Sequence, residues 1–170
     1  MDRRPQGGQG AARRRLAGIS PHRRRIVLAT VDFWEKPGCA GNARQKAALT
    51  AAGHTVVAHN LLAEPWTAAT LPPFFTGKPV VEWFNRNAAR IKSGEIRPET
   101  LTESGALALL LADPLLIRRP LMRVGTQHAS GFVAAEVAAW IGLTETGAAV
   151  DESCQKRTGC ACPPPSTVGS

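Results

Sequence analysis

The chain has 170 residues, enough for one domain with a sizeable core, and its 44% hydrophobic content is that of a globular protein. No apolar run reaches the roughly 18 to 20 residues that span a bilayer, and the arginine-rich start lacks the apolar stretch of a secretory signal, so a cytoplasmic setting without structural disulfides is expected. The net charge of +8 suggests nucleic acid only until it is located: residues 1–25 carry eight arginines against Asp2, and the rest of the chain is close to neutral.

Residues 1–25 hold few apolar side chains and no aromatic that could stack on a base. They read as a disordered, solvated basic tail, and nucleic acid is not the expected partner. Ile26 to Trp34 is an apolar, β-rich run that ends at the Pro37-Gly38 turn, so a buried strand is predicted there. Asn42 to Ala52 predicts a helix with apolar positions at Ala43, Ala47, Ala48 and Ala51, stopped by Gly53. His54 to Leu62, centred on Val56 and Val57, predicts a second strand. Strand, helix and strand of these lengths make a βαβ unit with a parallel pair.

Between Glu64 and Arg97 the composition shifts. Trp66, Phe74, Phe75, Trp83 and Phe84 lie among Pro65, Pro72, Pro73 and Pro79. This predicts short helices that pack aromatic rings, inserted into the α/β body. A helix over Thr102–Asp113 follows and Pro114 ends it. Leu115–Val124 is expected to be extended around Arg118-Arg119-Pro120, Gly125–Gly131 to close a hairpin, and Val133–Ile141 to form the last helix. Residues 26–143 then form one domain. From residue 144 the chain turns small, polar and proline-rich, which predicts a flexible tail.

The segment Glu35-Lys36-Pro37-Gly38-Cys39-Ala40-Gly41-Asn42-Ala43-Arg44-Gln45-Lys46 carries the chemistry. It places Cys39 where a strand ends and a helix begins. Backbone N–H groups at a helix start are unpaired and carry partial positive charge. A cysteine there is favoured as the thiolate, the reactive form. The competing reading is a small buried hydrophobe. Asn42 either hydrogen-bonds that thiolate or caps the helix. His54 and His59 fall on opposite faces of the predicted strand and cannot share a metal. Cys154, Cys160 and Cys162 match no strong metal signature. They remain weak candidates for binding zinc or an iron–sulfur cluster, for resolving an oxidised Cys39, or for no role beyond a flexible tail.

Three segments together resemble the arsenate reductase (ArsC)/Spx family. They are Trp34-Glu35-Lys36-Pro37-Gly38-Cys39, Trp83-Phe84-Asn85-Arg86-Asn87, and Asp113-Pro114-Leu115-Leu116-Ile117-Arg118-Arg119-Pro120-Leu121. Glu35 to Lys46, Leu61 to Thr67 and Ile91 to Ile96 are most similar to a subgroup known as nitrogenase-associated proteins. The resemblance implies an α/β fold: a thioredoxin-like mixed sheet with flanking helices and a helical insertion. It implies Cys39 as the nucleophile, Arg119 and Arg86 beside the negative charge, and Pro120 as a cis-proline. It also implies no tightly bound cofactor and regeneration by glutathione or glutaredoxin. The family's third arginine would fall within Thr126–Gly131, where only His128 is basic. Asn42 stands where the Spx branch often has a second cysteine, so the site is monothiol.

Two functions follow as expectations. One is a thiol-dependent reductase acting on an oxyanion or a glutathione mixed disulfide. The other is a non-catalytic interaction or regulatory module with a nitrogen-fixation protein as partner. A monomer without membrane attachment is expected in both, and metal or cluster delivery by the tail cysteines is a third, weaker option.

Overall fold

A computed structural model describes residues 28–144 and residue 150. The expected tail over 1–25 and, apart from residues 144 and 150, the expected tail over 144–170 lie outside those residues, as do Cys154, Cys160 and Cys162. Strand β1 (Thr30–Glu35) leads into helix α1 (Ala40–Ala51), and strand β2 (Thr55–Asn60) returns parallel to β1. Short 3-10 turns at Pro72–Phe75 and Val80–Glu82, helix α2 (Ala89–Lys92) and a turn at Pro98–Thr100 form the insertion. Helix α3 (Glu103–Ala112), the hairpin β3 (Leu121–Val124) and β4 (Gln127–Ser130), and helix α4 (Ala134–Trp140) complete the domain.

The sheet order is β2-β1-β3-β4, with β1 antiparallel to β3 and β3 antiparallel to β4. This is the mixed sheet expected, with helices on both faces. Alternation along β1 splits the core in two. Val31 and Phe33 face α1 and α4 and pack with Leu49, Met122, Phe132 and Val137. Trp34 faces the insertion and packs with Leu61, Phe74, Phe84, Leu110 and Leu121.

Several boundaries move for physical reasons. Helix α1 starts two residues earlier than predicted, so Cys39 is its N-cap. Its buried side is Gly41, Asn42, Gln45, Ala48 and Leu49, while Ala43, Ala47 and Ala51 are exposed. Alanine favours a helix from either face, so its spacing does not mark the core. Asn42 and Gln45 are tolerated inside because Asn42 Nδ2 donates to Gln45 Oε1 at 2.9 Å. His54 is not in β2: it closes the turn after α1, its N–H bonding to the Leu49 carbonyl, with Gly53 at φ +92°. The stretch after Pro114 first makes a turn, Pro114–Leu116, because the Asp113 carboxylate accepts from the Leu115 N–H.

Candidate functional site

The backbone brings Cys39 to the C-terminal end of the central strand. Glu35 closes β1; its carbonyl accepts from the Leu61 N–H at 2.9 Å, and its carboxylate bonds Lys46 Nζ at 2.6 Å. That ion pair ties the strand end to the second turn of α1. Lys36, Pro37 and Gly38 then turn the chain, with Cys39 N–H donating to the Lys36 carbonyl at 3.2 Å and Gly38 at φ +76°. Cys39 has extended dihedrals, φ −79° and ψ 113°, and its carbonyl accepts from Ala43 N–H at 3.0 Å. The Cys39 side chain makes no capping hydrogen bond at this helix start. The half-buried thiol lies over the first turn: a Cβ built on Gly41 would stand 3.8 Å from Cys39 Sγ. Asn42 sits inside the helix, not at its cap, and its buried Oδ1 has no hydrogen-bond partner among the described residues.

A short antiparallel pairing assembles the arginines. Phe84 bridges Ile117; Arg118 N–H donates to the Trp83 carbonyl at 2.8 Å, and Asn85 N–H to the Leu116 carbonyl at 2.7 Å. The two motif segments, far apart in sequence, therefore run side by side. Between them lies a cavity of about 330 Å³ lined by Glu82, Phe84, Asn85, Arg86, Asn87, Arg118 and Arg119. Arg118 Nη1 bonds Glu82 Oε2 at 2.9 Å. Arg86 is exposed and Arg119 half-buried, and neither meets a carboxylate among the described residues. The Arg119–Pro120 peptide bond is cis, as the resemblance implied. The β1–β3 register sets Leu121 opposite Trp34, so Pro120 falls beside the end of β1, where the loop to Cys39 starts. Cys39 is not part of the cavity lining.

His128, the only basic side chain within Thr126–Gly131, does not line the cavity. Its ring stands edge-on to Phe74 at 4.7 Å. The two other histidines among the described residues do lie apart. His54 is buried with Nε2 2.8 Å from the Gly142 carbonyl; His59 stacks on Trp34 at 4.8 Å with Nε2 2.8 Å from Asp32 Oδ1. Among the described residues no group of three His, Cys, Asp or Glu is arranged to hold a metal.

Comparison with known proteins gives these residues a context. The ArsC family profile matches residues 22–140. This chain belongs to the ArsC family. An uncharacterized 15.7 kDa protein in the draG 3′ region of Rhodospirillum rubrum is 55% identical over 127 residues, covering 75% of this chain and 89% of that protein. An arsenate reductase from Vibrio cholerae superposes with a TM-score of 0.55 at 18% identity, over 67% of this chain and 98% of the other. An arsenate reductase (ArsC) related protein from Brucella melitensis gives 0.52 at 21% identity, over 65% and 93%. At those identities the likeness is one of fold: a thioredoxin-like ArsC sheet. Cys39, Arg86, Arg119 and Pro120 all lie inside the matched range.

Sequence reasoning missed a second polar array. Asp32 accepts from Arg123 Nη2 at 2.8 Å and Nε at 3.1 Å as well as pairing with His59. Arg123 also lies over the Trp34 ring at 5.5 Å, and Trp34 Nε1 donates to Glu64 at 2.9 Å. Burial works to raise the Asp32 pKa, but the hydrogen bonds and charges of His59 and Arg123 outweigh it and hold the carboxyl below its usual 3.8. Only the strand register, which sets Asp32 opposite Arg123, could have revealed this group. Glu82 was likewise missed, because its partner Arg118 lies 36 residues away.

Proposed function

We propose that this ArsC-family chain is a thiol-dependent oxidoreductase with Cys39 as its single nucleophile. The reading rests on one observation: a free, half-buried thiol at the start of α1, its sulfur over the first helical turn. The unpaired N–H groups of that turn are hydrogen-bond donors for an anionic group of a bound substrate. Cys39 would attack an electrophile, either an oxyanion or a glutathione mixed disulfide, with Arg119 and Arg86 holding negative charge on the substrate. Asn42 occupies the motif's fourth position, so no disulfide forms within it, and an external thiol such as glutathione or glutaredoxin would restore Cys39. This chemistry suits a reducing, cytoplasmic setting.

A second reading is a protein-interaction module that has kept the fold without the reaction. The His128 ring, engaged with Phe74 where the family carries a cation, favours it. The resemblance to nitrogenase-associated proteins makes a nitrogen-fixation component its partner. Exposing the protein to glutathione disulfide and measuring intact mass separates the two. The reductase reading expects one glutathione adduct on the described domain, lost in Cys39→Ser. An unmodified Cys39 under conditions that modify a free cysteine peptide would leave the module.

A further inference from the structure

We propose that the outer edge of β2 is a joint between two copies of this chain, paired antiparallel about a two-fold axis through Val57. The proposal departs from the monomer expected from the sequence and does not depend on the role of Cys39.

Hydrogen bonding along β2 defines the joint. Its strand neighbour among the described residues is β1, on one side only. The Thr55 and Leu61 N–H groups donate to the Ala29 and Glu35 carbonyls, each at 2.9 Å. Main-chain groups alternate sides along a strand, so Val56, Ala58 and Asn60 turn theirs away from the sheet. The Asn60 carbonyl is taken by the Ala63 and Glu64 N–H groups. Val56 and Ala58 are left with outward donors and acceptors that no described residue meets.

Nothing in the strand guards that edge. Thr55–Asn60 reads Thr-Val-Val-Ala-His-Asn, without Lys, Arg, Asp, Glu or Pro, and it pairs with β1 at every residue without a bulge. Charges, prolines and bulges are the usual devices that keep edge strands from pairing.

Self-matching decides the occupant. An axis through Val57 sets Val56 opposite the partner's Ala58 and Ala58 opposite the partner's Val56, so the outward groups of both copies are satisfied together. Val57 then meets its own copy in the close position, with Cα atoms about 4.5 Å apart. Exposed apolar side chains follow the same line. Five large ones are exposed among the described residues, and three belong to this edge. Val57 lies at its centre and Leu62 just past its end. Leu28 lies at its entry, with Cδ2 2.8 Å from a Cβ built on Gly53. Antiparallel pairing sets the Leu62 end of one copy beside the Leu28 end of the other. A foreign peptide would have to supply matching side chains; a second copy already carries them.

The six residues of β2 span about 20 Å. So short an edge places the joint among the small, concentration-dependent interfaces, those under about 1,200 Å². A dissociation constant in the micromolar range is expected. Because β1 runs parallel to β2, the β1 strands of the two copies run oppositely. The two Cys39 turns then emerge at opposite ends of one continuous sheet.

Sedimentation of the full chain in reducing buffer tests this. The native protein should be a dimer at high micromolar concentration and dissociate on dilution. Val57→Lys sets like charges face to face and should weaken the dimer about tenfold or more. Ala58→Pro removes only an outward donor and should act likewise. Val57→Cys, oxidised with diamide, should yield a disulfide between two copies, found by mass in the peptide carrying residue 57, since about 4.5 Å between Cα atoms lies within bridging range. Thr55→Cys should not, because the register leaves its two copies on the order of 14 Å apart. A native protein that stays monomeric throughout would overturn the proposal. So would a dimer unweakened in both variants, or linkage through Thr55→Cys without linkage through Val57→Cys. Native sedimentation and the Val57→Cys cross-link decide the matter even where Val57→Lys or Ala58→Pro does not fold.

Discussion

Gly38 is the hinge that presents Cys39, and replacing it by alanine isolates one energy term. Its φ is +76°, in the left-handed region, and a Cβ built there meets nothing within 4 Å. Steric collision therefore contributes nothing, and the cost is conformational alone. For an L-residue in that region the penalty is about 1–2 kcal/mol. Urea unfolding of a domain of this size has a slope of about 2 kcal/mol per M, so the midpoint should fall by about 0.5–1 M. Gly38→Asn should lose less, because asparagine tolerates the left-handed region better. Gly53→Ala is a useful companion. Its φ is +92°, but its Cβ would approach Leu28 Cδ2 at 2.8 Å. Leu28 is 73% exposed and its side chain can swing aside, so this variant should cost about the same as Gly38→Ala. A Gly38→Ala protein with an unchanged midpoint would refute the turn conformation. A loss above about 3 kcal/mol would show contacts that the open space around residue 38 does not contain.

Three further outcomes are expected. Asp32 has a lowered folded-state pKa, so its contribution is present above the unfolded value of 3.8 and lost as pH falls through the lower folded value; Asp32→Asn should cost about 1 kcal/mol at pH 7 and flatten the stability profile below about pH 5, measured by denaturation across pH. Phe74→Ala removes a ring that touches Trp34, Trp66 and His128 and should cost about 3–5 kcal/mol, read by urea titration; less than 1 kcal/mol would contradict the packing described. A double-mutant cycle on Asn42→Ala and Gln45→Ala should return a coupling of about 1 kcal/mol from their buried hydrogen bond, and none if the two amides are independent.

By itself the sequence determined what short-range pattern can encode. The β-rich run before Pro37 and the helical stretch after Asn42 located Cys39 at a strand–helix junction, because both signals act within a dozen residues. Asn42 alone made the motif monothiol, and Pro114 and Gly53 marked helix ends through backbone limits of their own. The spacing of alanines misjudged the buried side of α1, since alanine carries too little apolar surface to decide orientation; Leu49 and the Asn42–Gln45 pair decide it instead. Tertiary structure decided what depends on partners distant along the chain. Asp32 and Arg123 are 91 residues apart, Arg118 and Glu82 are 36 apart, and Phe84 meets Ile117 across the whole of α3. Periodicity carries no information about such pairings, because they follow from strand order and register once the core has closed. For the same reason the cavity lined by Arg86 and Arg119 came from the fold alone.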